Sequence, residues 1–317
     1  MSEVNTKTLF TGLQSSGDLH IGNYFGALKP FLSLYKDNKS YLMIADYHAL
    51  TSLKDPELVR KSVFYTALDY LAVGVDPTQC VLFQQSQVSE HTELAWVLDC
   101  LVTVPFLMQA HAYKDKVAKG LEANAGLFTY PVLMASDILL YDTDVVPVGK
   151  DQQQHVEYAR EAAAKFNNTY GQTFKEPQAI IQDEVAIVPG TDGRKMSKSY
   201  GNTIPLFGTK DEIAKAVMSI VTDSTGDRPQ HVYAIHKLLK TENDLELLYE
   251  ANRGKYKNLK DALIEDLEAF IGPMRERRDE LARDPEAIRT IIEAGSNSAR
   301  EVAHAKMLDV RQKVGVR

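Results

Sequence analysis

Read for apolar periodicity, the chain changes character part-way along. In its first part, short β-branched and aromatic runs alternate with stretches whose apolar residues recur every three or four positions. Lys7–Leu13, Ser40–Asp46, Cys80–Gln84, Val145–Val148 and Asp183–Val188 predict strands. Tyr24, Leu28, Phe31, Leu32 and Tyr35 share one helical face. Pro56–Val73, Glu90–Leu101, Tyr130–Tyr141 and a segment carrying Val156, Ala159, Ala163 and Phe166 predict further helices. Strands alternating with helices of this length predict right-handed crossovers and a parallel sheet, an α/β, Rossmann-like nucleotide-binding domain. Ligands of such sheets lie at the carboxyl ends of the strands. The turn after the first strand and the residues after the second therefore share one crevice.

Beyond Ile204-Pro205 no strand pattern is found. Asp211–Val221, His231–Leu239, Asp244–Asn252, Leu259–Ile271, Met274–Ala282, Pro285–Ala294 and Ser298–Val314 read as helices. The expected division is residues 1–204 as the Rossmann-like domain and 205–317 as an all-helical domain. Residues 105–126 form a partly helical insertion in the first. Its Lys114, Lys116 and Lys119 read, taken alone, as a solvated basic face.

Composition narrows the class. With 44% hydrophobic and 25% charged residues, the 317-residue chain has the profile of a soluble globular protein. No apolar run is long enough to span a bilayer, and Met1–Lys7 lacks the apolar core of a signal peptide. Cys80 and Cys100 have neither metal nor redox spacing and read as buried thiols in a reducing cytoplasm. The net charge of −7 argues against nucleic-acid binding through a bulk positive field. Residues 205–317 hold 19 of the 36 Lys and Arg and 20 of the 43 Asp and Glu, leaving 17 against 23 before them. The helical part is nearly neutral, which fits either a module meeting a polyanion on one face or a neutral lid.

The chemistry concentrates in a few stretches. Arg194-Lys195-Met196-Ser197-Lys198-Ser199-Tyr200-Gly201-Asn202 follows Gly190, Asp192 and Gly193 and reads as a mobile loop. Two ammonium groups and two hydroxyls on such a loop suit a polyphosphate whose charge is met during reaction and released afterwards. Gln14-Ser15-Ser16-Gly17-Asp18-Leu19-His20-Ile21-Gly22-Asn23 makes a strand–glycine–helix junction, an anion site by virtue of free N–H groups and the helix dipole. His20 and Asn23 either reach one phosphate there or form a capped helix start. Asp137 lies in the middle of a helix that is apolar nearly all round, so its carboxylate needs a donor, from a structural partner or from a ligand. Met134, one turn away, offers a soft apolar surface. Gly149-Lys150-Asp151-Gln152 forms a second strand–glycine–helix junction.

Together these residues resemble the class I aminoacyl-tRNA synthetases, and within them the bacterial tryptophan branch. Gly17–Asn23 looks like the family's first signature, and Lys195-Met196-Ser197-Lys198-Ser199 matches its second. YPVLMASDILLY at 130–141 and VPVGKDQ at 146–152 resemble stretches that separate the tryptophan enzyme from its tyrosine relative. The resemblance implies activation of L-tryptophan with Mg²⁺-bound ATP in the sheet domain. It also implies anticodon recognition on tRNA(Trp) by the helical domain, a homodimer, a cytoplasmic location and no protein-bound metal. By the resemblance, Gln14, Ser15, Ser16, His20, Gly22 and Asn23 contact ATP, Gly149, Lys150 and Asp151 hold the ribose, and Ile187 faces the adenine. Lys195, Met196, Ser197, Lys198 and Ser199 form the ATP loop, in which Lys195, Lys198 and Ser199, aided by Lys116 or Lys114, stabilise departing pyrophosphate. Asp137 accepts from the indole N–H with Met134 against the ring, Tyr130 and Gln152 hold the α-ammonium, and His48 borders the pocket. Ser15 departs from the family's usual proline, which loosens the turn.

The nearest rival is the tyrosyl enzyme, whose matching helix is expected to carry glutamine where Met134 stands. An apolar sulfur favours indole, whose N–H is a donor only. A small-molecule nucleotidyltransferase would need neither the lysine loop nor the helical domain. A non-catalytic paralogue is disfavoured by intact Lys195, Lys198 and Asp137.

Overall fold

The structure, a computed structural model, describes residues 6–15, 17–110, 113–114, 117, 123–149, 153–180, 188–222 and 228–316. β1 (Thr8–Gln14) leads through the glycine turn into α1, which runs as Ile21–Asn23, a π-helical turn Tyr24–Leu28 and Lys29–Leu34. β2 (Lys39–Ala45) passes directly into the short α2 (Asp46–Ala49), and α3 (Pro56–Ala72) follows. Asp55 caps α3 by accepting from Glu57 N and Leu58 N, and Pro56 fills the first turn, where no N–H is needed. Then come β3 (Val81–Gln84), α4 (Glu90–Asp99), α5 (Val104–Leu107), α6 (Ala125–Leu139), β4 (Val145–Pro147), α7 (Gln153–Tyr170) and β5 (Gln178–Ile180). Among the described residues from 210 onward the elements are helices: α8 (Lys210–Met218), α9 (Gln230–His236), α10 (Glu242–Ala251), α11 (Tyr256–Leu281) and α12 (Pro285–Val314).

The sheet has the order β3-β2-β1-β4-β5, and every pairing is parallel. Strands two and three are laid to one side of β1, and strands four and five to the other. The order therefore reverses between β1 and β4, and a crevice opens at their carboxyl ends. Alternation along the strands divides the core between two faces. Leu9, Leu42, Ile44, Leu82 and Val145 point into one buried cluster with α1, α3 and α11. Phe10, Tyr41, Met43, Phe83 and Val146 point into the other with α4, α6 and α7. Burial on both faces accounts for the continuous apolar runs of β1 and β2.

Three expectations need correction. Leu259–Ile271 and Met274–Ala282 belong to one helix, α11, which continues through Pro273 because Ile271 and Met274 pack on the same core to either side of it. Pro285–Ala294 and Ser298–Val314 are also one helix, α12. Its Gly295-Ser296 step marks a close approach to the edge of the sheet. A Cβ on Gly295 would collide with the Leu82 carbonyl oxygen, and Ser296 Oγ accepts from Gln84 N at 3.1 Å. The helix thereby crosses and caps the β3 edge, with Ile288 and Ile292 in one face's core and Ala299, Ala303 and Met307 in the other's. The fifth described strand is Gln178–Ile180, and residues 183–187 of the expected strand lie outside the described residues. Third, Cys80 is buried but Cys100 is exposed, since it stands just past the last turn of α4.

Candidate active site

β1 delivers its carboxyl end to the crevice. Gln14 is exposed there, and Ser15 is fully buried, its Oγ without a partner among the described residues. Gly17 takes φ +96°, a conformation that favours glycine. His20 is 7% exposed at the mouth of α1, and its backbone N–H donates to Asn23 Oδ1 at 3.1 Å. Asn23 thus caps the helix start. Gly22 carries no side chain for a steric reason: a Cβ would lie 2.9 Å from His20 Nδ1 and 3.3 Å from Met196 Cβ. The first signature and the lysine loop therefore touch through a glycine.

The lysine loop is more ordered than its composition predicts. Lys198–Tyr200 forms a 3₁₀ turn, and Pro189 and Lys195 form an antiparallel bridge. Asn202, 2% exposed, organises the rest: its Oδ1 accepts from Ser197 N, and its Nδ2 donates to Asp192 Oδ1 and the Lys195 carbonyl. Met196 is buried beneath, while Lys195, Lys198 and Ser199 face outward. Ser197 and Ser199 join hydroxyls at 3.0 Å. The chain after the loop is stitched to the glycine turn by Ile21 N to Ile204 O and Leu206 N to Leu19 O. Lys198 Nζ donates to the Gly17 carbonyl at 2.8 Å, and so spans the turn.

Charge follows from this geometry. Burial, reinforced by the Lys198 and Lys195 ammonium groups, lowers the His20 pKa to about 4, so the ring is neutral at neutral pH. Among the described residues its buried Nδ1 has no hydrogen-bond partner. Lys198 is held below its ordinary pKa by partial loss of water, against the pull of Asp18 and Asp69. Asp69 on α3 is buried and receives Arg278 Nε from α11 at 2.6 Å.

A second group gathers around Asp137, fully buried in α6. Its Oδ1 receives Gln85 Nε2 at 2.8 Å and His91 Nδ1 at 2.6 Å, and its Oδ2 receives His48 Nε2 at 2.8 Å. Burial alone would raise the carboxyl pKa, but the bonds and charges of His48 and His91 outweigh it and bring the group down to about 2. The donors are thus side chains of this chain: Gln85 just past β3, His48 on α2 and His91 on α4. The Tyr130 ring stands 6.3 Å from that of His48 and 5.6 Å from that of His155. Met134, one turn before Asp137, is half-buried. Gln14 links the two groups, because its Nε2 donates to the His48 carbonyl at 3.1 Å. Gly149 follows β4 at the far wall. Ser16, Lys116, Lys150, Asp151, Gln152 and Ile187 lie outside the described residues.

Sequence reading missed Gln85, His91 and Asn202. The first two stand at and after the carboxyl end of β3, so the strand-end rule applied to a third strand would have reached them. Asn202 carried no signal beyond its place behind Gly201.

Similar proteins are known. The family described as tRNA synthetases class I (W and Y) matches residues 3–279. A tryptophan–tRNA ligase of Fusobacterium nucleatum is 46% identical over 98% of this chain and 98% of its own. The crystal structure of a tryptophanyl-tRNA synthetase from Campylobacter jejuni, complexed with ADP and tryptophan, superposes with a TM-score of 0.87 at 44% identity, covering 98% of this chain and all of the other. That from Mycoplasma pneumoniae gives 0.88 at 28% identity, with 98% of each chain covered. The chain therefore belongs to the class I tRNA synthetases of the tryptophan and tyrosine kind, ATP-dependent ligases that join an amino acid to tRNA.

Proposed function

We propose that the two groups form one active site that makes tryptophanyl-adenylate from L-tryptophan and ATP, then transfers tryptophan to tRNA(Trp). The observation that carries this reading is the Lys198–Gly17 closure on one side of Gln14 and the Asp137–His48 contact on the other. The nucleotide lies over Gln14, Ser15, His20, Gly22 and Asn23, with Ser16, Lys150, Asp151 and Ile187 completing its contacts. The buried Ser15 hydroxyl and His20 Nδ1 are polar atoms to which a ligand would offer a partner. The indole ring lies on Met134 and gives its N–H to Asp137. Tyr130 and Gln152 receive the α-ammonium.

The reaction is attack of the substrate carboxylate on the α-phosphorus, with a new P–O bond formed and pyrophosphate released. No protein nucleophile is called for, so the site works by position and charge. Lys195, Lys198 and Ser199, with Lys116, meet the negative charge that builds on the departing pyrophosphate. Magnesium arrives on the phosphates of ATP and screens them. Among the described residues no group of three or more His, Cys, Asp or Glu stands ready to hold a metal. The later helices, α8 to α12, carry the anticodon contacts.

A cytoplasmic homodimer completes the reading. Among the described residues no helix is long and apolar enough to cross a membrane. Trp96 is 71% exposed on α4, with Val104 and Met108 also exposed nearby in sequence, and a second copy of the chain would cover them. Sedimentation velocity should give twice the chain mass, and a monomer at micromolar concentration would overturn the pairing. ATP–pyrophosphate exchange with tryptophan and tyrosine side by side tests the activity. Tryptophan should drive exchange, and a preference for tyrosine would defeat the assignment of Asp137 and Met134.

A further inference from the structure

The Asp137 carboxylate does not meet its three donors evenly. An ionised carboxylate offers about two lone-pair directions on each oxygen. Among the described residues, Oδ1 is met by Gln85 and His91, and Oδ2 by His48. The three donors also differ in how firmly they are held. Gln85 is fully buried, and its Oε1 accepts from Tyr47 N at 3.1 Å, which fixes the amide with Nε2 toward Asp137. His91 is fully buried, and its Nε2 lies 2.9 Å from the Tyr141 hydroxyl. Burial, with the Asp137 charge behind it, holds that phenol protonated far above neutral pH. A phenol O–H that donates to Nε2 leaves the ring proton on Nδ1, aimed at Oδ1. Tyr141 is itself clamped between the rings of Phe10 and Tyr41, at 5.7 and 4.5 Å. His48 is different: it sits on the four-residue α2, and its side chain keeps 13% exposure while that of Asp137 has none.

We propose that Asp137 divides its two oxygens, Oδ1 being a fixed acceptor locked by Gln85 and the Tyr141–His91 pair, and Oδ2 the ligand acceptor, whose place His48 keeps until an indole N–H arrives. The inference rests on the function proposed above and adds two positioning residues and one exchangeable residue to it. An indole N–H entering from the side of Tyr130 meets Oδ2 and displaces the His48 donor. One N–H donor replaces another, so the carboxylate is never left buried and unpaired, a state that would be costly. Selection for an N–H then depends on Oδ1 staying still. A ring of the same shape with sulfur in place of N–H gives Oδ2 nothing, and His48 stays where it is.

The test uses the full-length enzyme labelled with ¹⁵N-histidine, titrated with tryptophan or with 3-(benzothiophen-3-yl)alanine. The His48 ring signal, assigned through His48→Asn, should shift with tryptophan and hold still with the sulfur analogue. The His91 signal, assigned through Tyr141→Phe, should hold still with both. In exchange kinetics, Tyr141→Phe should raise the tryptophan KM about tenfold with little change in kcat, and leave the KM of the analogue unaltered. A His48 signal that ignores tryptophan, or that moves alike with both ligands, overturns the division even where tryptophan is activated normally. A Tyr141→Phe loss spread equally over tryptophan and analogue overturns the positioning role. Should Tyr141→Phe not fold, the His48 signal of the unaltered enzyme still decides the matter. Exchange driven by tyrosine and not by tryptophan would defeat the underlying function instead.

Discussion

Lys198 Nζ donates to the carbonyl oxygen of Gly17, a residue 181 positions earlier in the chain, and the contact closes the lysine loop across the turn after β1. The same turn supplies Asp18, whose charge, with that of Asp69, favours the ammonium form that loss of water disfavours. A cation that donates to a neutral carbonyl is well placed to change partners when phosphate oxygens enter, since an anion is the stronger acceptor.

Lys198→Ala should therefore act on the chemical step. Loss of one preorganised donor to a developing charge costs about 3 kcal/mol, on the order of 10²–10³ in kcat. Tryptophan binding in the absence of ATP should stay within about threefold, because the Asp137 group does not touch the loop. Pre-steady-state adenylate formation and equilibrium binding separate the two. A variant with unchanged turnover would remove the loop from the mechanism.

The pH dependence of folding should report His20. The ring titrates near 6.5 when exposed, whereas burial and the two nearby lysines lower it to about 4 in the folded chain. Between those values the unfolded chain binds the extra proton, so stability rises with pH across the window and is lost as pH falls through it. At pH 5 the difference amounts to about 2 kcal/mol relative to pH 7. Urea unfolding of the parent and of His20→Asn at both pH values isolates the contribution, because titrations elsewhere are shared. Equal losses in the two proteins would mean that the ring is not shielded as described.

Much of this architecture could be read from the chain because local and long-range preferences agree. β1 and β2 are apolar on both faces, as strands between two helical layers must be, and the glycine turn and lysine loop are contiguous strings. What sequence left open depends on distant partners. Asp137 announces that it needs donors but not which ones: Gln85 and His91 lie 52 and 46 positions away. The loop reads as mobile because Gly190, Gly193 and Gly201 surround it, yet Asn202 ties both of its ends through three hydrogen bonds. Pro273 and Gly295 read as helix breaks, since local propensity disfavours both. Tertiary packing overrides it at each.

Gly295 makes the last point quantitative. By propensity alone, alanine in a helix interior is better than glycine by about 1 kcal/mol. Gly295→Ala should nevertheless destabilise, because the new methyl group would overlap the Leu82 carbonyl oxygen and push α12 off the β3 edge. Overpacking of this kind typically costs about 1–3 kcal/mol. Displacement of α12 would also strain the Ser296–Gln84 hydrogen bond. Gly26→Ala is the control: that glycine lies in the π-helical turn of α1, and a Cβ there meets nothing within 4 Å. It should hold or raise the melting temperature. The same helix also donates from Arg300 to the Gln87 carbonyl, just past Gln85, so a displaced α12 should loosen the Asp137 donors as well. Gly295→Ala should accordingly raise the tryptophan KM together with its loss of stability. If Gly295→Ala instead matches Gly26→Ala in calorimetry, the helix does not lie against the sheet edge as closely as described, and its link to the Asp137 pocket fails with it.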